Sequence, residues 1–269
     1  MTLMLLVLVA CGTKYNVVES ADTGLAALDS DTDDTNDTDV VDDNYWNGVR
    51  LEIVQPVSGA FLPLDEDAAF EAVLYDADGE EIDFDDVSWT SDVDGGWAPV
   101  GASFDDDTLG VGTHTLTASA TLPNGDRLSF AVGGVLVQSP YAGVYVGDLS
   151  VSLAGDYNGQ TLSAGCSGGV TIVVDAEGET ATGESGCLLS LFGYELDTSY
   201  VLDLENSEGD LDGVAAVDLT WFEYPFVATG ELTEDGDLEA AFSELVYGYL
   251  QVDGTVAATR ITRDLSSLD

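Results

Sequence analysis

Alternation between hydrophobic and polar residues is the main pattern of this chain from residue 46 onward. No long stretch carries hydrophobic residues at the 3.6-residue period of an amphipathic helix, so the pattern predicts strands rather than helices. In a first unit, residues 46–138, the predicted strands are 51–54, 69–75, 87–95 and 109–120. A last hairpin in this unit turns at Pro123-Asn124-Gly125-Asp126. The unit is therefore predicted to be all-β.

The second unit, residues 139–269, repeats the strand-and-turn pattern about eight times. The predicted strands are 143–151, 170–174, 179–184, 200–204, 213–221, 226–232, 238–245 and 254–260. Short strands joined by tight, Gly-containing hairpins predict an antiparallel meander that closes as an up-and-down barrel or packs as a compact sandwich. The opening Gly143-Val144-Tyr145-Val146-Gly147 is only vaguely similar to small meander barrels such as lipocalins and avidins, and no family-specific motif accompanies it.

The N-terminus carries the most specific motif, an apolar run that ends in Leu8-Val9-Ala10-Cys11. This tetrapeptide resembles the lipobox of bacterial lipoproteins, in which cleavage before the cysteine leaves that residue to carry the lipid. The run is shorter than the ~20 residues of a membrane-spanning helix and fits the apolar region of a signal peptide. The resemblance implies a signal peptide at 1–10, lipidation of Cys11, and export. Gly12 rather than Asp favours an outer-membrane lipoprotein, facing the periplasm or the cell surface.

Residues 11–45 are predicted to form a disordered acidic tether between the acylated Cys11 and the folded units. The segment 29–39 is low in complexity, rich in Asp and Thr, and poor in the apolar residues that would offset the entropy of ordering. Self-repulsion between its carboxylates would extend the tether and hold the folded units away from the bilayer.

The formal net charge of −47 limits the partners of this protein. Only ten of the 52 acidic residues lie at 11–44, so most of the negative charge belongs to the folded part. Such a surface repels phosphate backbones, which excludes nucleic acid as an expected partner. It also disfavours adsorption to anionic lipid, so the membrane is expected to be reached through the lipid anchor alone.

Two motifs in the first unit resemble bacterial Ig-like and PKD-like modules. The segment 89–95 has the form W-x-S-x-x-D-G, and 109–120 has the form L-x-x-G-x-H-x-L-x-x-x-A. The resemblance implies a β-sandwich in which Trp89 packs inside with Leu116 and Ala118. It also implies that the role of His114 is structural rather than catalytic. Modules of this kind in surface proteins are mostly spacers or adhesive platforms.

The two remaining cysteines are predicted to form a disulfide. If Val174 pairs with Glu179 around the turn at residues 175–178, the same register places Cys166 opposite Cys187. A one-residue bulge at Gly178 would shift this pairing only slightly. An exported compartment permits the oxidation.

Calcium is the only cofactor that the sequence suggests. The candidate ligands are Asp76, Asp78, Asp92 and Asp94, in two Asp-x-Asp-Gly segments whose oxygens suit this ion. The alternative is that Asp-Gly pairs on an acidic protein simply make turns, and this alternative is favoured.

The aromatic run at residues 221–226 suggests a ligand pocket. If the second unit is a barrel, alternate residues face its lumen, so Trp221 and Glu223 would line a cavity while Phe222, Tyr224 and Phe226 face the other way. The alternative is plain core packing, with Pro225 ending a strand.

The sequence favours a non-catalytic function. His114 is the only histidine, no G-x-S-x-G or G-x-x-x-x-G-K motif is present, and the abundant carboxylates make any acid–base pair uninformative. The leading expectation is a lipid-anchored surface or periplasmic binding and scaffold protein with an unidentified protein or glycan partner. The alternative is a lipocalin-like carrier that holds a small apolar ligand in the second unit.

Overall fold

The structure is a computed structural model that describes residues 45–191, 193–218 and 223–265. The predicted signal peptide, Cys11 and the acidic tether up to residue 44 lie outside the described residues. Every regular element in the described part of the chain is a β-strand, which confirms the all-β prediction. No helix in this part has the length and apolar character needed to cross a membrane.

The first eight strands form two sheets around one core. They are β1 (Arg50–Gln55), β2 (Phe61–Pro63), β3 (Ala68–Tyr75), β4 (Glu81–Ile82), β5 (Val87–Ser91), β6 (Ser103–Asp106), β7 (Gly112–Thr121) and β8 (Arg127–Gln138). One sheet has the order β1-β3-β4, with β6 also paired to β3, and the other has the order β2-β8-β7-β5. Hydrophobic residues of both sheets belong to a single buried cluster, so this part of the chain is a β-sandwich.

Trp89 lies at the centre of the sandwich core. It is fully buried, and its direct partner across the β5–β7 pair is Ala118, which is buried with Leu116. The ring packs edge-on against Phe70 and Phe104, and Nε1 donates a hydrogen bond to the Gly101 carbonyl at 2.9 Å. The prediction that Trp89 packs inside with Leu116 and Ala118 is confirmed.

The last eight strands close into an antiparallel barrel. They are β9 (Gly143–Tyr157), β10 (Gln160–Val174), β11 (Thr180–Leu191), β12 (Tyr194–Ser207), β13 (Asp210–Asp218), β14 (Glu223–Leu232), β15 (Asp237–Val246) and β16 (Leu250–Thr262). Neighbours in sequence pair with one another, and β16 pairs with β9 to complete the ring. Of the two predicted architectures, the up-and-down barrel is the one observed.

The barrel strands are longer than the sequence pattern indicated. β9 and β10 have 15 residues each and pair along their whole length. The prediction missed residues 160–169 because Gly and Ser have low strand propensity, and their alternation carries little hydrophobic signal. In a closed barrel every strand is paired on both sides, so the backbone ladder holds such residues in place.

One end of the barrel, the closed end, is sealed by Tyr141 and two arginines. The Tyr145 hydroxyl donates to the Tyr141 carbonyl at 2.6 Å. Arg260 and Arg263 both donate to the Pro140 carbonyl, and Arg260 also donates to the carbonyl of Glu234 in the β14–β15 turn. These bonds tie the chain entering the barrel to the chain leaving it. Burial raises the pKa of Tyr145, and the neighbouring arginines act in the opposite direction.

Candidate functional site

The opposite end of the barrel, the open end, contains an apolar cavity of about 250 Å³. It lies where β9, β11, β13 and β15 end and the strands that follow them begin. Twelve residues line it, and most are aliphatic or aromatic: Val151, Leu153, Leu189, Thr198, Tyr200, Val217, Tyr224, Phe226, Val246, Tyr247, Leu250 and Val252. A concave, mostly apolar site with a few polar groups is the usual form of a small-molecule binding site.

The lumen is mostly apolar because hydrophobic residues occupy most of the alternate positions along its strands. In β15, for example, residues 238, 240, 242 and 246 are buried hydrophobic residues, while the odd-numbered positions are exposed. The same alternation runs around the barrel and gives one continuous core.

Phe242 is a buried, lumen-facing residue of the barrel core beside the cavity-lining Phe226. It stands opposite Gly254 in the β15–β16 pair, and its ring occupies the place where a Cβ on Gly254 would lie, at 2.0 Å from that ideal position. The ring also stacks on Phe226, with 5.0 Å between centroids. Glycine is required at position 254 because any larger residue would collide with this ring.

Two buried hydroxyl groups lie in the cavity wall. Thr198 donates to the Cys187 carbonyl at 2.7 Å, and the Tyr200 hydroxyl lies 4.0 Å from Cys166 Sγ. Burial raises the pKa of Tyr200, whereas a hydrogen bond with Thr198 lowers it. The Tyr200 hydroxyl therefore remains protonated at neutral pH and can donate to a ligand atom.

At the rim, Tyr224 and Glu244 form a hydrogen-bonded pair. The Tyr224 hydroxyl donates to Glu244 Oε1 at 2.6 Å, and the Tyr224 ring lines the cavity. This bond raises the pKa of Tyr224, because loss of the phenol proton would remove the bond and place two negative charges side by side. The pair thus holds a carboxylate at the edge of an apolar site.

The predicted lumen orientation of the aromatic run was wrong for Tyr224 and Phe226. Both face the lumen, and Phe226 is buried in the barrel core. In β14 the lumen-facing positions are the even-numbered ones, which carry the larger apolar residues, whereas the exposed positions include Pro225 and Val227. Trp221 and the side chain of Glu223 lie outside the described residues, so their predicted place in the pocket stays a prediction.

Cys166 and Cys187 form a disulfide between β10 and β11, with 5.7 Å between their Cα atoms. The predicted bond is confirmed, but the predicted register was wrong. Val174 pairs with Ala181 rather than Glu179. The turn is longer because Asp175 closes it: its backbone N–H bonds to the Thr180 carbonyl, and its carboxylate accepts from the Glu179 N–H and the Thr180 hydroxyl.

The aspartates proposed as calcium ligands mostly accept backbone N–H groups. Asp76 Oδ1 accepts from the N–H groups of Asp78 and Glu80, and Asp94 accepts from Gly96 and Gly110. Asp92 accepts the Thr115 N–H at 2.6 Å, which lowers the pKa of Asp92 by stabilising its charged form. These contacts match the turn interpretation that the sequence analysis favoured. Among the described residues, no group of three or more His, Cys, Asp or Glu side chains is placed to hold a metal ion.

His114 is buried in the sandwich, far along the chain from the barrel cavity. Its Nε2 lies 2.8 Å from the Gly110 carbonyl, so Nε2 carries a proton, and its Nδ1 lies 2.7 Å from Ser91 Oγ. The Ser91 hydroxyl in turn accepts the N–H groups of Val93 and Asp94. The two ring nitrogens therefore join the end of β5 to the segment just before β7.

Sequence reasoning missed Glu244, which is the least expected residue of the site. It occupies a lumen-facing position in β15, between Phe242 and Val246. The signal was present in the sequence, because Leu238, Ala240, Phe242 and Val246 form an alternating apolar series that Glu244 interrupts. Because the chain has 52 acidic residues, the residue type alone did not distinguish Glu244 from the others. Only its position in the alternating apolar series distinguishes it.

No model of a known protein family matches this chain, and no curated protein matches its sequence. The similarities to lipoproteins and to Ig-like modules therefore stay predictions from the sequence.

Proposed function

We propose that this chain is an exported, lipid-anchored binding protein whose barrel holds a small apolar ligand at its open end. The observation that supports this proposal is the apolar cavity of about 250 Å³. A protein that served only as a scaffold would gain nothing from free space in the barrel lumen, because unfilled apolar volume costs stability. The cavity thus favours the carrier over the simple scaffold.

The size of the cavity limits the size of the ligand. An engineered apolar cavity of about 150 Å³ takes benzene, and sites for drug-sized ligands span about 300–1,000 Å³. A volume of about 250 Å³ lies between them. The ligand is therefore larger than a single benzene ring and smaller than a typical drug molecule, for example a short alkyl chain.

A series of straight-chain alcohols from 1-hexanol to 1-decanol tests this proposal. Each added methylene contributes about 0.8 kcal/mol on burial, so affinity should rise about fourfold per carbon until the cavity is full, and then level off. Titration calorimetry of the full chain measures these affinities. The absence of saturable binding for every alcohol would contradict the proposal.

A blocking variant locates the binding. Val252 lines the cavity and is 6% exposed, so Val252→Phe should fill the site and weaken 1-octanol binding by at least about tenfold. The matched control is Val227→Phe, at a residue that is 75% exposed on the outer face of β14. Val217→Phe provides a second blocking variant if the first does not fold. Equal binding by the blocked and control variants would place the ligand elsewhere.

Lipidation of Cys11 is the part of the proposal that rests on the sequence alone. The wild-type chain should fractionate with membranes, and mass spectrometry should find a mature N-terminus at an acylated Cys11. Because the acidic surface is repelled by anionic lipid, a Cys11→Ala variant should no longer fractionate with membranes. An unmodified Cys11 in the native protein would overturn this part and leave the binding proposal intact.

A further inference from the structure

Glu244 is the only acidic residue at a lumen-facing position in the described barrel strands. The other such positions carry hydrophobic or small residues, a few uncharged polar side chains, and Arg260 near the closed end. The remaining carboxylates of the described barrel strands lie on outward-facing positions or at strand ends. A carboxylate turned toward an apolar lumen is costly unless it has a partner, so its position calls for a physical reason.

The neighbours of Glu244 belong to the cavity. Across the β15–β16 pair it stands opposite Val252, and Val246 follows it on the same face of β15. Both valines line the cavity, as does Tyr224, which donates to Oε1. The other carboxylate oxygen, Oε2, has neither a hydrogen bond nor an ion pair within the part of the chain that the structure describes. One acceptor is thus held in place by Tyr224 and the second remains available.

No basic residue lies at the open end among the described residues. Arg50 and Arg127 belong to β1 and β8 of the sandwich, and Arg260 and Arg263 are bonded to backbone carbonyls at the closed end. The charge around the cavity entrance is therefore negative, as it is for the whole chain. Such a potential attracts cations and repels anions at short range, even at physiological ionic strength.

We infer that the ligand of this cavity is a hydrophobic amine, an inference that rests on the proposed function. Its apolar part fills the space bounded by Val252 and Phe226, and its ammonium group donates a hydrogen bond to Glu244 Oε2. A fatty acid of the same length is rejected, because its carboxylate would face Glu244 with no basic partner in reach.

Three ligands with one chain length test this inference: octylamine, 1-octanol and octanoate. At pH 7 the amine is protonated, like a lysine side chain, and the carboxylic acid is ionised. The full chain in 0.15 M salt should bind octylamine about tenfold more tightly than 1-octanol, and octanoate more weakly than either. Glu244→Gln should remove the preference, so that octylamine and 1-octanol bind this variant with equal affinity.

The control separates a specific contact from general attraction to a polyanion. Glu239→Gln removes an exposed, outward-facing carboxylate from the same strand and changes the net charge by the same amount. It should leave the preference for octylamine intact. If 1-octanol and octylamine bind equally to the wild type, or if the two variants lose the preference equally, the inference is wrong while binding in the cavity stands. If none of the three ligands binds, the proposed function itself fails.

Discussion

Replacement of Trp89 by alanine is expected to lower the free energy of unfolding of the sandwich by about 3–5 kcal/mol, the usual cost of removing a large buried aromatic side chain. Trp89 is fully buried, and it contacts the Phe70 and Phe104 rings from one side of the core. The substitution also leaves the Gly101 carbonyl without its indole donor. Urea denaturation followed by circular dichroism measures the change.

The neighbouring residue gives the matched control for this prediction. Thr90 is exposed on the same strand, so Thr90→Ala should change the free energy of unfolding by no more than about 0.5 kcal/mol. A Trp89→Ala variant as stable as Thr90→Ala would show that Trp89 is not the centre of the core. Because the barrel has its own hydrophobic cluster, the affinity of folded Trp89→Ala for 1-octanol should equal that of the wild type.

Removal of the disulfide is expected to have the second largest effect. The bond joins residues 21 apart in sequence, and restricting an unfolded loop of that length stabilises the folded state by about 3 kcal/mol. The double variant Cys166→Ala, Cys187→Ala should therefore unfold at a clearly lower urea concentration. A double variant avoids the free thiol that either single change would leave.

Reduction of the wild type provides an independent check on this value. A reductant should destabilise the wild-type chain by the same amount as the double substitution, and it should have no effect on the double variant. If reductant does not change the stability of the wild type, and the double variant is as stable as the wild type, then the disulfide contributes nothing to the stability of the fold. The disulfide lies beside Tyr200 in the cavity wall, so ligand affinity should also fall when it is removed.

The sequence pattern was sufficient for the strands whose alternation carries a strong hydrophobic contrast. β3 and β15, with Phe70, Leu74, Leu238 and Phe242 on one face, were recognised nearly in full. The pattern failed where lumen positions are occupied by small residues, as in the first half of β10. There the strand exists because both neighbours pair with it, and pairing between distant residues is not encoded in local propensity.

The site was harder to predict than the fold. Pocket residues come from seven strands and a turn, and only closure of the barrel brings Leu189, Val217 and Val252 together. The face of β14 was assigned incorrectly because both sets of alternate positions in the run 221–226 contain an aromatic residue, Trp221 in one set and Tyr224 and Phe226 in the other. Shifting the assignment by one residue exchanges the two faces of the strand. The cysteine pairing was predicted correctly although the register next to the turn was not, and the two Cα atoms lie 5.7 Å apart, within the range that a disulfide spans.

Methyl NMR of the full chain during titration with 1-octanol shows whether the open end of the barrel is a binding site. The methyl groups of Val217, Val246 and Val252, which line the cavity, should show saturable shifts. Val227 on the outer face and Val135 in the sandwich core should show none. Shifts confined to Val227 and Val135, or no saturable shifts at all, would contradict binding at the open end.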